Sequence, residues 1–341
     1  MSILVTGGCG FIGSNFILDW FHDSDEKIVN LDKLNYASNK DNLLPLKSNK
    51  NYHFIHGDIN DHETVNMIFN NFSPRAIINF AAETHVDRSI KNPSTFVDTN
   101  IVGCSKLLQY TKEYWDNLAL KKKFLFRFLH ISTDEVYGSL KENDKSFIES
   151  TAYDPRSPYS ASKAASDHLV NSYFYTFSLP TLITNCSNNF GPLQFPEKFI
   201  PMSIYHLMNN MPVPIYGDGK NIRDWLYVKD HCSAIRAVLK KGTPGEVYNI
   251  GSNNEYRNLD VVEMIFSILQ DEKHCIKNKY TDLIKFIKDR PGHDRRYAIN
   301  SDKIQNKIGW KAKRNFELDL KETILWYVSN YSWLEKSIKK I

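Results

Sequence analysis

Two short runs carry side chains able to do chemistry. One reads His130-Ile131-Ser132-Thr133-Asp134-Glu135 and the other Tyr159-Ser160-Ala161-Ser162-Lys163. Tyr159 and Lys163 stand four residues apart, so a helix puts both on one face. A cationic Lys beside a Tyr favours the phenolate. A phenol tuned that way can take the proton of a hydroxyl while hydride leaves the same carbon. Asp134 and Glu135 would supply a second acid/base step, because neighbouring carboxyls push one pKa up and suit opposite roles.

These groups need a scaffold that brings them to one mouth. The apolar run 124–129 predicts a buried strand ending near Thr133. In an open α/β sheet ligands bind outside the carboxyl ends of the strands, which is where Thr133, Asp134 and Glu135 would then lie. Upstream, residues 3–6 read as a strand, Gly7-Gly8-Cys9-Gly10-Phe11-Ile12-Gly13 as a tight turn, and residues 14–22 as a helix. Glycines at those positions let backbone approach a pyrophosphate held at the helix N-terminus. A second strand over 27–31 ends in Asp32, close to the ~20-residue spacing of a carboxylate that binds ribose hydroxyls. Asp32 favours NAD over NADP, and Lys33 weakens that preference slightly.

Further strands are expected over 52–55, 76–80 and 181–185, with helices over 96–112 and 159–177 and a lysine-rich turn at 121–123. The fold class is α/β: a Rossmann-type doubly wound parallel sheet with a smaller α+β substrate lobe. Residues 1–190 form the dinucleotide domain, with a return segment near 226–250, and residues 191–341 the second lobe. Past Gly191 prolines recur, and short strands and loops are expected to replace the alternation. Two arginine-bearing loops there, 217–225 and 289–296, could clamp a diphosphate bidentately. Asp58 could hold an adenine amino group or cap a helix starting near Asn60. His85 has both a structural and a substrate reading. His53 and His56 lack a third ligand nearby, so no metal site is expected.

The 341 residues suffice for a large core, and 42% hydrophobic content with 44 aromatic side chains (18 Tyr, 20 Phe, 6 Trp) excludes a disordered chain. A net charge of +4 is too weak and dispersed to point to nucleic acid. Five scattered cysteines without a CxxC pair predict reduced thiols and a cytoplasmic protein. Met1-Ser2-Ile3-Leu4-Val5 has no basic leader, and no apolar run reaches the ~20 residues that span a bilayer.

Together these segments resemble the extended short-chain dehydrogenase/reductases, and within them the nucleotide-sugar 4,6-dehydratases. The matching stretches are 7–13, 32–37, 81–90, 133–135, 159–163, 188–192, 223–225 and 290–297. The Thr-Asp-Glu run separates dehydratases from epimerases, whose chemistry needs no acid/base pair there. Ser38 and Ser252 depart from the usual glycines, away from the central chemistry. The resemblance implies an NAD-dependent hydro-lyase acting on UDP-glucose or dTDP-glucose, with catalytic Thr133, Asp134, Glu135, Tyr159 and Lys163. It implies cofactor contacts from Gly7, Gly10, Phe11, Ile12, Gly13, Asp32, Lys33, Asn35, Asp58, Ile59, Ala81, Ala82, Thr99, Tyr159, Lys163 and Asn188. It implies substrate contacts from Thr84, His85, Thr133, Asn189, Glu197, Lys198, Pro214, Tyr216, Arg223, Asn258, Arg290 and His293. A homodimer through a helix-helix face is expected, without nucleic acid or membrane partners. The competing readings are a nucleotide-sugar 4-epimerase or decarboxylase, and a non-catalytic NAD-binding regulator on the same fold.

Overall fold

A computed structural model describes residues 2–272, 274 and 276–340; Met1 and Cys275, which figured in the expectations above, lie outside them. Strands β1 (Ser2–Thr6), β2 (Lys27–Asp32), β3 (Tyr52–His56), β4 (Pro74–Asn79), β5 (Arg127–Thr133) and β6 (Thr181–Cys186) come first in the chain. They are followed by β7 (Asn188–Phe190), β8 (Val213–Tyr216), β9 (Ile222–Tyr227), β10 (Val247–Ile250), β11 (Glu255–Arg257) and β12 (Ile284–Ile287).

The main sheet has seven strands in the order β10-β6-β5-β4-β1-β2-β3, and its pairs are all parallel. Helices cover both faces, so the central strands read as near-continuous apolar runs such as Ile3-Leu4-Val5 and Ala76-Ile77-Ile78. The order reverses between β1 and β4, which opens a crevice at their carboxyl ends. A three-stranded sheet, β11-β9-β7, and a two-stranded one, β12-β8, stand apart from it. Helix Val228–Lys241 packs back on helix Phe11–Asp23, where Arg236 Nη1 donates to the Asp19 carboxylate at 2.9 Å.

Helix Pro158–Phe177 carries Tyr159 and Lys163. It starts where it does because Ser157 and Ser160 form a reciprocal capping box and Pro158 occupies the first turn. Ser178, in the left-handed region, ends it.

Three local expectations are corrected. The lysine-rich segment is a helix, Leu120–Leu125, whose last residues Phe124 and Leu125 are exposed; the strand begins only at Arg127. Leu and Lys are good helix formers, and the Phe126 N–H donates back to the Lys122 carbonyl, which keeps this run out of the sheet. The helix expected over 96–112 is three pieces: Pro93–Phe96, a wider π-type turn Val97–Gly103, and Cys104–Asp116. Such turns occur often at functional sites, and this one carries Thr99 and Asn100. Past Gly191 the expected short strands are present as β8, β9, β11 and β12, but the stretches between and after them are not only loops: Phe199–Met208, Asn258–Asp271, Phe316–Ser329 and Tyr331–Ile338 are helices. Pro201 sits in a first turn, where its missing N–H costs no helical bond.

Candidate active site

The glycine turn leaves no room for side chains. Gly7 has φ +71°, and a Cβ there would lie 2.7 Å from the Ala81 nitrogen. A Cβ on Gly13 would lie 2.5 Å from the Gly7 carbonyl oxygen. Backbone lying this close together makes one side of a cavity. Gly7, Gly10, Phe11, Ile12, Gly13, Asp32, Lys33, Asn35, Asp58, Ile59, Ala81, Ala82, Thr99, Tyr159, Lys163 and Asn188 all line it. Asp32 is fixed by two backbone donors, Cys9 N–H at 2.9 Å and Leu34 N–H at 2.7 Å. Lys33 donates to Thr99 Oγ1 at 3.0 Å and lies 3.7 Å from Glu83 and 4.0 Å from Asp58. Asp58 accepts from Asn60 N–H, but the following helix starts at His62 with Asp61 as its cap, so the capping role falls to Asp61.

At the other end, Thr133 closes β5 and Asp134 opens a one-turn 3₁₀ helix, Asp134–Tyr137. The Thr133 hydroxyl donates to Asp134 Oδ1 at 3.4 Å and accepts from Glu135 N–H at 3.3 Å. Asp134 is buried, and its Oδ2 has no hydrogen-bond partner among the described residues. Burial first, then the charges of Glu135 and Asp224, hold the Asp134 carboxyl well above the usual range. Burial and these charges therefore favour its protonated form. Burial also raises Glu135, but Lys198, Arg223 and Arg290 draw it back toward the ionised form. Two adjacent carboxyls thus face opposite fields, as an acid and a base must.

Tyr159 does not meet the expected field. Burial first, then Glu135 and Cys186, hold its phenol well above the ordinary value, and a hydrogen bond with Thr133 opposes them. Lys163 donates instead to the Ile131 carbonyl at 2.8 Å and lies 3.2 Å from His130 Nε2. The strand-end backbone turns the ammonium inward, so Thr133, not Lys163, is the main group favouring phenolate here.

The expected substrate residues fall into two sets. Thr84, Thr133, Asn189, Glu197 and Lys198 line the cavity beside the acids. Lys198 Nζ donates to the Thr84 carbonyl at 2.9 Å, Glu197 accepts from the Tyr36 hydroxyl at 3.0 Å, and Asn189 Oδ1 faces His231 Nδ1 at 2.8 Å. His85, Pro214, Tyr216, Arg223, Asn258, Arg290 and His293 stand outside the cavity lining. His85 caps helix Val86–Lys91 by accepting from Arg88 N–H, and burial holds its ring neutral, at about 4. Arg290 forms a bidentate pair with Asp87 at 2.7 and 2.8 Å, and the Tyr216 hydroxyl reaches the same carboxylate at 3.3 Å. His293 Nδ1 lies 2.6 Å from Asp289 Oδ1, with its ring edge-on to Tyr216. Arg223 is buried, donating to the Asp294 carbonyl at 2.9 Å and stacking over Tyr297. Pro214 lies in β8, and Asn258 opens its helix with its N–H on the Asn221 carbonyl. Both guanidinia of the two arginine-bearing loops therefore have internal acceptors, Arg290 in Asp87 and Arg223 in the Asp294 carbonyl.

Sequence reasoning singled out neither Asp167 nor His231, and named His130 and Asp224 only as members of their runs, without a role; none of the four lines the cavity. Asp167 left a local signal, being four residues past Lys163 and so on its helix face. Among the described residues, no group of three or more His, Cys, Asp or Glu is placed to hold a metal ion.

A parallel sheet with a glycine turn at its first strand, and a Tyr-x-x-x-Lys helix facing its fifth, defines an extended short-chain dehydrogenase/reductase. The chain belongs to the GDP-mannose 4,6 dehydratase family, whose pattern matches residues 4–323. It is 49% identical over 333 residues to a dTDP-glucose 4,6-dehydratase of Xanthomonas campestris pv. campestris strain B100, covering 97% of this chain and 94% of that one. The crystal structure of a Bacillus anthracis dTDP-glucose 4,6-dehydratase in complex with NAD superposes with a TM-score of 0.88 at 43% identity, covering 99% of each chain. A dTDP-glucose 4,6-dehydratase from Streptomyces venezuelae, also with NAD bound, gives 0.90 at 37% identity, covering 99% of this chain and 100% of that one.

Proposed function

We propose that the chain is an NAD-dependent hydro-lyase that converts dTDP-glucose to dTDP-4-keto-6-deoxyglucose and water. The observation that carries the reading is the Asp134–Glu135 pair, one carboxyl buried and held well above its ordinary range, the other with its burial opposed by Lys198, Arg223 and Arg290. The residues present fit a dinucleotide. The glycine cradle would be filled by a single Cβ, and Asn188 Oδ1, on a cavity-lining residue, is buried without a hydrogen-bond partner among the described residues.

The chemistry NAD supplies when bound is acceptance of hydride from sugar C4 and its return at C6. Tyr159 takes the 4-hydroxyl proton, and Thr133 shares a hydrogen bond with that oxygen. The ketone so formed acidifies C5–H, which Glu135 removes. Asp134 gives its proton to the departing 6-hydroxyl, water leaves, and a proton returns to C5. Each acid/base step contributes about 10²–10⁴ in rate. Residues 1–190 with the return segment near 226–250 would hold the dinucleotide, and the rest of 191–341 the nucleotide sugar.

The test is incubation with dTDP-glucose and UDP-glucose separately, following loss of one water by mass. We expect turnover of dTDP-glucose, with UDP-glucose slower by about 10–200-fold if the pocket reads the thymine methyl. No water loss, with a C4 epimer or carbon dioxide formed from other nucleotide sugars, would sink the reading.

A homodimer belongs to the same proposal. Val97, Val102, Tyr175 and Phe177 leave exposed apolar surface on the neighbouring segments 97–116 and 158–177. Light scattering at micromolar concentration should give twice the chain mass of 39.6 kDa, and a monomer would remove this part. No helix among the described residues is long and apolar enough to cross a membrane. A cytoplasmic location is proposed on the four buried free thiols, Cys9, Cys104, Cys186 and Cys232.

A further inference from the structure

Behind Lys163 lies a cluster of buried polar groups to which the proposed chemistry gives no role. Lys163 is 3% exposed. A buried ammonium costs several kcal/mol unless it is paired. Its hydrogen-bonding neighbours, the Ile131 carbonyl and His130 Nε2, carry no negative charge, since burial and Lys163 itself keep His130 neutral. At that same ring nitrogen stands Asp167, fully buried, with Oδ1 at 3.6 Å from Nε2 and no hydrogen-bond partner among the described residues. Its Oδ2 accepts from the Ser132 hydroxyl at 2.9 Å, the Tyr153 hydroxyl at 3.0 Å and Asn185 Nδ2 at 3.3 Å. Three donors on one oxygen are what an ionised carboxylate requires.

The titratable groups around Lys163 come from several elements: His130 of β5, Cys104 of helix Cys104–Asp116, Cys186 of β6, and Tyr159 and Asp167 of its own helix. Of the charges acting on Lys163, Asp167 has the largest effect and favours the ammonium. Burial brings Asp167 up to about 6, against the pull of Lys163 and the three donors, so it is ionised at neutral pH.

We propose that Asp167 is a positioning residue that acts through His130 as the counter-ion keeping the Lys163 ammonium charged at the cavity floor. The kinetic readout rests on the dehydratase reading, in which the family resemblance counts Lys163 among the catalytic residues; the ion pair itself does not.

Asp167→Asn keeps shape and removes the charge. The alkaline limb of kcat against pH should move to lower pH by about 1 unit or more, the effect of losing an opposite charge at this range. A merely structural role would lower the amplitude and leave the limb in place, and that result overturns the proposal. A second measurement leaves Asp167 intact. In Lys163→Met at pH 7.5, Asp167 should take up a proton and add a protonated-carboxyl band to the infrared difference spectrum against wild type. ¹³C-aspartate labelling should shift that band. Absence of a new aspartate band would equally refute the counter-ion. The infrared result stands whether or not the wild type dehydrates dTDP-glucose, so the two readings fail separately.

Discussion

Asp134→Asn is the sharpest perturbation of the proposed chemistry. The wild-type carboxyl is 1% exposed and held well above the ordinary carboxylate range, so asparagine puts a neutral group of the same shape where the protonated form is already favoured. The Thr133 hydroxyl can still donate at the same 3.4 Å contact. The fold should therefore be retained, with little change in thermal midpoint. What disappears is the proton for the leaving 6-hydroxyl. General-acid loss predicts a kcat lower by about 10²–10⁴, or ~2.7–5.5 kcal/mol of barrier. Oxidation at C4 does not use that proton. In a stopped-flow single turnover with dTDP-glucose, Asp134→Asn should therefore build up reduced-nicotinamide absorbance that decays slowly. Glu135→Gln should do the same, because it too blocks elimination after oxidation. Tyr159→Phe should show no absorbance at all. Turnover of Asp134→Asn within about threefold of wild type, where ~10²-fold is expected, would refute the assignment. Absorbance building up in Tyr159→Phe would refute the order of steps.

Gly13→Ala places a methyl 2.5 Å from the Gly7 carbonyl and 2.8 Å from Gly8 Cα, so overpacking should cost about 1–3 kcal/mol and release the dinucleotide; calorimetry and the nucleotide content of the purified protein check both. Arg290→Ala should weaken dTDP binding by about 10-fold or more, as loss of a charged hydrogen bond does, whereas Asp87→Ala frees Arg290 and should leave binding equal or tighter; titration calorimetry that gave both variants the same loss would point to the ion pair and not to phosphate contact. His231 is buried, and burial lowers its pKa to about 3, so the stability it contributes is full above its unfolded value of 6.5 and is lost as pH falls toward 3. Wild type should therefore lose ~1.4 kcal/mol more than His231→Gln between pH 7.5 and 5.5 in urea unfolding, and parallel curves would contradict the buried neutral ring.

The parts of the fold and site legible in the sequence are those written locally. The glycine turn, Asp32 and the Tyr159–Lys163 spacing each lie within one or two elements, and each stands on the same cavity. The helix at Leu120–Leu125 was hidden because its apolar ends run straight into the strand, and only the Phe126 bond to Lys122 separates them. The internal partners of the two arginines were illegible for a different reason. Arg290 finds its acceptor in Asp87, 203 positions earlier in the chain, and Arg223 finds backbone carbonyls near Asp294. A motif marks where a guanidinium stands; its partner comes from another element and only the folded chain brings them together.

The same distinction decides the central pair. Asp134 and Glu135 are neighbours, and nothing in their local sequence says which keeps the proton. Their surroundings do. Asp134 points where Asp224, 90 positions on, adds a negative charge that the Ser252 and Asn254 N–H groups hold in place. Glu135 feels Lys198, Arg223 and Arg290, from three separate segments of the C-terminal part. The acid is favoured first by burial and then by neighbouring carboxyls, Asp224 among them, and the base by cations from the C-terminal part. Neutralising Asp224 as Asn should therefore lower the Asp134 carboxyl and move the alkaline limb of elimination to lower pH, without touching either reacting group.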